Sequence, residues 1–325
     1  MKKYLITLCF FVLLPGCGED PLLKPADVPV FAQENATGTP ETVPETSAPV
    51  SPDDAETVSP TEIPSITPEP TKLPSPTAAP AYTAPTQISA SGLNTSGLSN
   101  EKFSWYFMKN SEHLPTRGAA EMDISAYGGY YLGDTSQKYI WLTFDAGYEN
   151  GYTASMLDTL KEKDVKAAFF CVGTYIRDNP ELTKRMSDEG HLVVNHTDRH
   201  PSMPDVGDQE ILDEIYEPAR RFKELTGLDM PAFLRPPSGE YSERTMYITK
   251  EAGYKTIFWS FAYQDWLVDA QPGKDYAFKI VMDNLHNGEI LLLHAVSSSN
   301  AEALPDIIDA VKAQGYEFKS LFDLP

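Results

Sequence analysis

The sequence predicts an α/β fold, a parallel sheet rolled into a β/α barrel, carried on an unstructured tether. Three observations predict it. Seven short apolar runs, rich in β-branched and aromatic residues, begin near residues 139, 166, 192, 232, 255, 289 and 317. Six stretches with helical periodicity lie between them, over 152–163, 180–189, 208–225, 242–252, 274–285 and 301–313. Strands that alternate with helices pair in parallel, because each crossover returns the chain in the same direction. Finally, the first hundred residues have neither pattern. One closed or nearly closed barrel over about 225 residues is the simplest arrangement; a doubly wound open sheet is the alternative.

The chain opens with Lys2 and Lys3 before an apolar core over residues 4–14, too short to cross a bilayer. It ends in Leu14-Pro15-Gly16-Cys17, which resembles a bacterial lipobox, in which Cys17 becomes the lipidated first residue. An ordinary cleaved signal peptide is the alternative. Both place the mature protein outside the cytoplasmic membrane. From residue 18 to 100 the chain holds 15 of its 27 prolines, with eleven Asp and Glu against two Lys, a formal charge of -9. Such a segment cannot bury enough apolar surface to offset its chain entropy. Its prolines and self-repulsion favour an extended, semi-rigid spacer. The expected division is a signal over 1–17, a disordered linker over 18–103 and a folded domain over 104–325.

Within that domain, residues 105–134 are rich in aromatics, and the alternating runs follow. Asn179 stands before Pro180 as a helix start, and Gly190, Gly227, Gly253 and Gly315 stand where helices end and a left-handed residue is wanted. The net charge of -21 excludes a nucleic-acid partner, which needs a basic face to displace counterions from phosphates. Of three cysteines, only Cys171 remains inside the domain, so no disulfide framework and no Cys metal site exists there. A lone Cys on a strand reads as a small buried hydrophobe.

Polar residues gather just behind the apolar runs, where parallel strands of α/β folds present their chemistry. Asp145 follows a run too apolar for a surface strand. Partial desolvation there is expected to raise its pKa toward that of a useful general base; a loop or helix-cap carboxylate is the alternative. His196 and His200, spaced i and i+4, would lie on one face of a helical turn and could grip one divalent ion, although the spacing alone is often incidental. Arg235, stiffened by Pro236 and Pro237, could pair with Asp145, polarise an oxyanion or form an ordinary salt bridge. Asp265-Trp266 offers a carboxylate to orient an imidazole and a ring suited to a sugar face, or else a buried Trp beside a loop Asp. His294 ends the most apolar run; beside Asp265 it becomes a general acid, and deep in a core a satisfied histidine. His113, His191 and His286 have no such setting.

Taken together, Thr143-Phe144-Asp145-Ala146-Gly147, His196-Thr197-x-x-His200, Arg235-Pro236-Pro237-x-Gly239, Asp265-Trp266 and Leu293-His294 resemble the ordered motifs of the polysaccharide deacetylases, the carbohydrate esterases of family 4. The resemblance runs from about residue 104 to the C-terminus and implies a distorted (β/α)7 barrel. The segments around Asp145 to Thr153, Ser104 to Phe107, Tyr130 to Asp134 and Asn300 to Leu304 are similar to the branch that deacetylates N-acetylmuramic acid on the way to muramic δ-lactam. The resemblance implies Asp145 as base, Arg235 as its support, His294 as acid with Asp265 behind it, and His196 and His200 as ligands of a divalent metal, zinc by preference. It assigns Trp266, Pro236, Pro237 and Tyr148 to the substrate. Its implied partners are peptidoglycan glycan strands and, through Cys17, the outer face of the cell membrane, with the chain a monomer. Ala146 departs from the pattern. Most of the family carries an Asp metal ligand there, and an alanine leaves the metal weakly held or absent.

Overall fold

The computed structural model describes residues 82–325 apart from 111 and 119. The expected signal segment, the lipid expected on Cys17 and the expected linker as far as residue 81 lie outside the described residues. Strands β1 (Phe103–Ser104), β2 (Phe107–Met108), β3 (Arg117–Gly118) and β4 (Gly129–Tyr130) precede the repeating part. That part runs β5 (Tyr139–Ala146), α1 (Thr153–Glu162), β6 (Ala168–Cys171), α2 (Gly173–Asp178), α3 (Pro180–Asp188), β7 (Leu192–Asn195), α4 (Asp208–Thr226), β8 (Phe233–Leu234), β9 (Glu240–Tyr241), α5 (Glu243–Glu251), β10 (Lys255–Ile257), α6 (Lys274–Asn284), β11 (Glu289–His294), α7 (Ser298–Ala313) and β12 (Glu317–Phe318). All seven apolar runs become strands and all six periodic stretches become helices. Gly190, Gly227, Gly253 and Gly315 all have positive φ, as their helix ends require.

Strands β5, β6, β7, β8 and β10 pair in parallel in chain order, and β11 returns to β5 in register from Glu289↔Ile140 to His294↔Asp145. Beyond β10 the chain stays extended. Phe261 makes a single parallel bridge to Leu291, and the Leu292 N–H donates to the Phe261 carbonyl at 2.9 Å, so the sheet curls until its two ends touch. This sequential, closed order excludes the doubly wound alternative. The seventh run is not a stave of the ring: β12 takes the other edge of β5 at its start, Glu317↔Tyr139. The seam between β10 and β11 distorts the barrel. β4 fills part of it beside β10, and the β2–β3 hairpin covers it from outside, with Thr116 Oγ1 donating to the Ser260 carbonyl at 2.9 Å.

Alternation along the strands sorts the core into two layers. Trp141, Phe170, Val194, Phe233, Ile257 and Ile290 fill the inside of the barrel, plugged at its foot by Leu321 and Leu324. Ile140, Leu142, Phe144, Ala146, Phe169, Cys171 and Leu293 face outward under the helices. Cys171 is fully buried, as read.

Part of the expected linker is among the described residues. Residues 82–103 are packed along the domain: Tyr82, Ile88, Ala90 and Leu93 cover the apolar cluster of α4 and α5. The Ile88 N–H donates to Tyr216 Oη at 3.0 Å, Asn100 Nδ2 to the Pro204 carbonyl at 2.8 Å, and Phe103 and Ser104 pair antiparallel with β9. Each of these four apolar side chains finds a place on the surface of the domain, which the proline content of the surrounding segment hides.

Candidate active site

Asp145, His196, Arg235 and His294 all meet at the carboxyl ends of their strands. Asp145 and Arg235 form a buried pair with Arg235 Nη1 donating to Asp145 Oδ1 at 2.6 Å, and the guanidinium is 0 % exposed. Nη2 donates to Thr143 Oγ1 at 3.0 Å and Nε to the Ile257 carbonyl at 3.1 Å, while the guanidinium carbon sits 4.0 Å from the centre of the Phe170 ring. Every nitrogen of Arg235 is therefore engaged. Of the roles expected of it, pairing with Asp145 is the one its hydrogen bonds make.

The expected rise in the Asp145 pKa is also reversed. Burial pushes the carboxyl up, but Arg235, His196 and His294 outweigh it and hold the group below its ordinary 3.8. On the adjacent strand, His294 has the opposite shift. Burial lowers it, yet Asp265 and then Asp145 raise it above its ordinary 6.5. His294 Nδ1 donates to Asp265 Oδ1 at 2.6 Å, and its main-chain N–H to Oδ2 at 2.8 Å. The two neighbouring groups are thus pushed apart, Asp145 toward its ionised form and His294 toward its protonated one.

His196 and His200 come together by a different route from the one expected. Residues 196–200 are a loop, with Thr197 at φ 65° and His200 at φ 61°, not a helical turn. The rings still meet, 4.8 Å apart at 74°. Strained left-handed residues of this kind persist only where the surroundings dictate them. Here the Thr197 N–H donates to Asn195 Oδ1 at 2.8 Å, and the Asp198 and Arg199 N–H groups both donate to the buried Glu214 Oε2 at 2.8 Å. Gly173 lets the loop approach α2, since a Cβ there would lie 2.0 Å from Asp198 Oδ1. None of these supports carried a sequence signal beyond lying near the histidines.

His196 Nδ1 faces the Arg235 carbonyl at 2.8 Å; a carbonyl only accepts, so this nitrogen bears the proton. Nε2 is left with its lone pair toward Asp145 Oδ2, 3.5 Å away. Burial lowers the pKa of both rings, His200 to about 3, so both are neutral and can donate lone pairs. These two imidazoles fit a divalent ion, but a third protein ligand is missing. Ala146 lies on the face of β5 opposite Asp145, in the outer apolar layer. A carboxylate at that position would reach the imidazoles only if the chain turned after Asp145. Among the described residues no group of three or more His, Cys, Asp or Glu side chains is arranged to hold a metal.

The residues assigned to substrate divide. Trp266 is half-buried with its ring 5.2 Å from that of His294, and Tyr148 is exposed. Pro236 and Pro237 are buried, so they shape the rim, and the exposed residue of their turn is Ser238, at φ 54°. Thr143 and Asn300, both buried against the site, stand in segments that carry the resemblance but were assigned no role. Thr143 could have been found from its position two residues before Asp145, on the same face of the strand. His191 is buried at the far end of β7, accepting the Ala167 N–H, as its position before the strand implied.

Residues 132–257 match the polysaccharide deacetylase family, a span that includes Asp145, both metal-type histidines and Arg235 but stops short of Asp265 and His294. The chain is 42 % identical over 239 residues to the peptidoglycan-N-acetylmuramic acid deacetylase PdaA of Bacillus subtilis, covering 73 % of this chain and 91 % of that protein. The solved structure of PdaA, a family 4 carbohydrate esterase, superposes with a TM-score of 0.68 and covers 70 % of this chain and 98 % of that one. A peptidoglycan-N-acetylglucosamine deacetylase of Bacillus cereus is 32 % identical, covering 58 % of this chain and 89 % of its own length. A family 4 pseudoenzyme from Bacillus anthracis is 31 % identical with a TM-score of 0.57, covering 60 % of this chain and 68 % of its own.

Proposed function

The chain belongs to the polysaccharide deacetylase family, carbohydrate esterases of family 4 that hydrolyse amide C–N bonds, and on that premise we propose that it removes the acetyl group of N-acetylmuramic acid in peptidoglycan. The observation that carries this reading is the opposed pair Asp145 and His294 on adjacent strands, in a chain similar to PdaA over nearly that protein's whole length. Asp145, oriented by Arg235, takes a proton from water as the oxygen bonds to the acetamide carbon. His294, charged and aligned by Asp265, gives its proton to the nitrogen as the C–N bond breaks. Acetate and the sugar amine leave, and the proton on Asp145 is returned through solvent. The freed amine stands beside the lactyl carboxyl of muramic acid, the arrangement from which a δ-lactam closes. Trp266 and Tyr148 would stack on the sugar, and Pro236 and Pro237 would hold the rim.

Enzymes of this family generally depend on a metal. In this chain His196 and His200 would hold it, zinc by the preference of imidazole. When bound, it would polarise the amide carbonyl. Two ligands in place of about three predict weak binding. Calorimetric titration with zinc should therefore give a shallow isotherm that vanishes in His200→Ala; an unchanged isotherm in that variant would rule out His200 as a ligand. We place the working protein outside the cytoplasmic membrane, anchored through Cys17 and acting as a monomer on glycan strands. A second reading, a glycan-binding pseudoenzyme, is favoured by Ala146 and by the pseudoenzyme relative. N-acetylglucosamine is the alternative substrate, from the Bacillus cereus relative. Mass spectrometry of glycan fragments after digestion should place the new amine on muramic acid. An amine only on glucosamine would assign the alternative substrate.

A further inference from the structure

Resting on the deacetylase reading, we propose that Asn300 is a positioning residue for the leaving-group proton, acting on His294 through Asp265, with Tyr263 fixing its amide. Asn300 and Asp265 are both 0 % exposed. Asn300 lies in the first turn of α7, its N–H donating to Oγ of the helix cap Ser297 at 3.1 Å. Its side-chain Nδ2 donates to Asp265 Oδ2, the oxygen that also accepts the His294 N–H, and lies 3.3 Å from the His294 carbonyl. Tyr263 Oη donates to Asn300 Oδ1. The orientation of the amide is forced, because a carboxylate can only accept and so must face the NH2.

Asp265 is therefore tied at both oxygens. It cannot turn without breaking a hydrogen bond at a fully buried carboxylate, where an unmade bond is costly. This locks His294 Nδ1–H onto Asp265 and leaves Nε2 as the nitrogen that hands on the proton. Gln271 makes a parallel tie to the main chain. It donates to the Asp265 carbonyl at 2.6 Å and accepts from Ser297 Oγ at 2.6 Å. Gln271 holds the loop, whereas Asn300 reaches the carboxylate itself.

The experiment compares two substrates on the full chain. The N-acetylated glycan expels an amine, which needs a proton; 4-nitrophenyl acetate expels a phenolate, which does not. Asn300→Ala should lower kcat on the glycan roughly tenfold to a hundredfold, with KM and ester hydrolysis held within about twofold. Tyr263→Phe should show the same selectivity with a smaller loss, and serves if Asn300→Ala fails to fold. In an Asp265→Ala background, Asn300→Ala should add nothing, because the two act through one carboxylate. Equal losses on both substrates, or a further loss in that background, would overturn the inference alone. A wild type that cleaves the ester and no glycan amide would overturn the deacetylase reading and this inference with it.

Discussion

The proposed chemistry turns on two residues shifted in opposite directions. Asp145 must be ionised to accept a proton, and its pKa is lowered, so activity should fall only as the pH drops below 3.8. His294 must be protonated, and its pKa is raised, so activity should fall as the pH climbs above 6.5. A kcat/KM profile should show both limbs; an acid limb above the ordinary carboxylate range would contradict the Arg235 pairing. Arg235→Ala leaves Asp145 buried and unpaired, and should cost about 3–5 kcal/mol of stability in denaturant melts. At the opposite end of β11, Glu289 is fully buried, its Oε1 has no partner among the described residues, and burial raises its pKa well above 4.5. A raised carboxyl costs stability as the pH rises from the unfolded value toward the folded one. Glu289→Gln does not titrate, so its melting temperature should gain on wild type with rising pH from about 5 to 8. Asp145 itself could be picked from the sequence because a carboxylate behind the mostly apolar run 139–144 is conspicuous. The sign of its shift could not, because Arg235 lies 90 residues away and only the closed ring brings the two together.

The regular elements were legible where periodicity and end signals agreed, as in α4, which ends at Gly227 in a left-handed conformation. Two elements were not. The six-residue α2 is too short to show a period. Loop 196–200 carries helical spacing but bends through left-handed residues, since Asn195 and Glu214 offer its backbone better partners than a helix would. The strap over 82–103 belongs to this scale as well. It brings apolar contacts, hydrogen bonds and a strand pairing to the outside of α4, α5 and β9. A chain begun at residue 104 should melt several degrees below one begun at residue 82, since each kcal/mol lost moves the midpoint of a domain this size by roughly 2–4 °C. Equal melting temperatures would show that the strap merely rests on the domain.

For the molecule as a whole, a closed barrel explains why residues spread from Asp145 to His294 share one mouth: β5 and β11, first and last in the ring, are neighbours with those two residues in register. The alternation that turns Asp145 inward also turns Ala146 outward, so β5 brings one carboxylate to the site and no second one. The most direct test is acetate release from purified glycan strands freed of stem peptides, with and without added zinc, by wild type and by Asp145→Asn. The wild type should release acetate, matched by new muramic acid amines, and the folded variant none. Glycan binding without acetate under either condition would contradict the deacetylase reading.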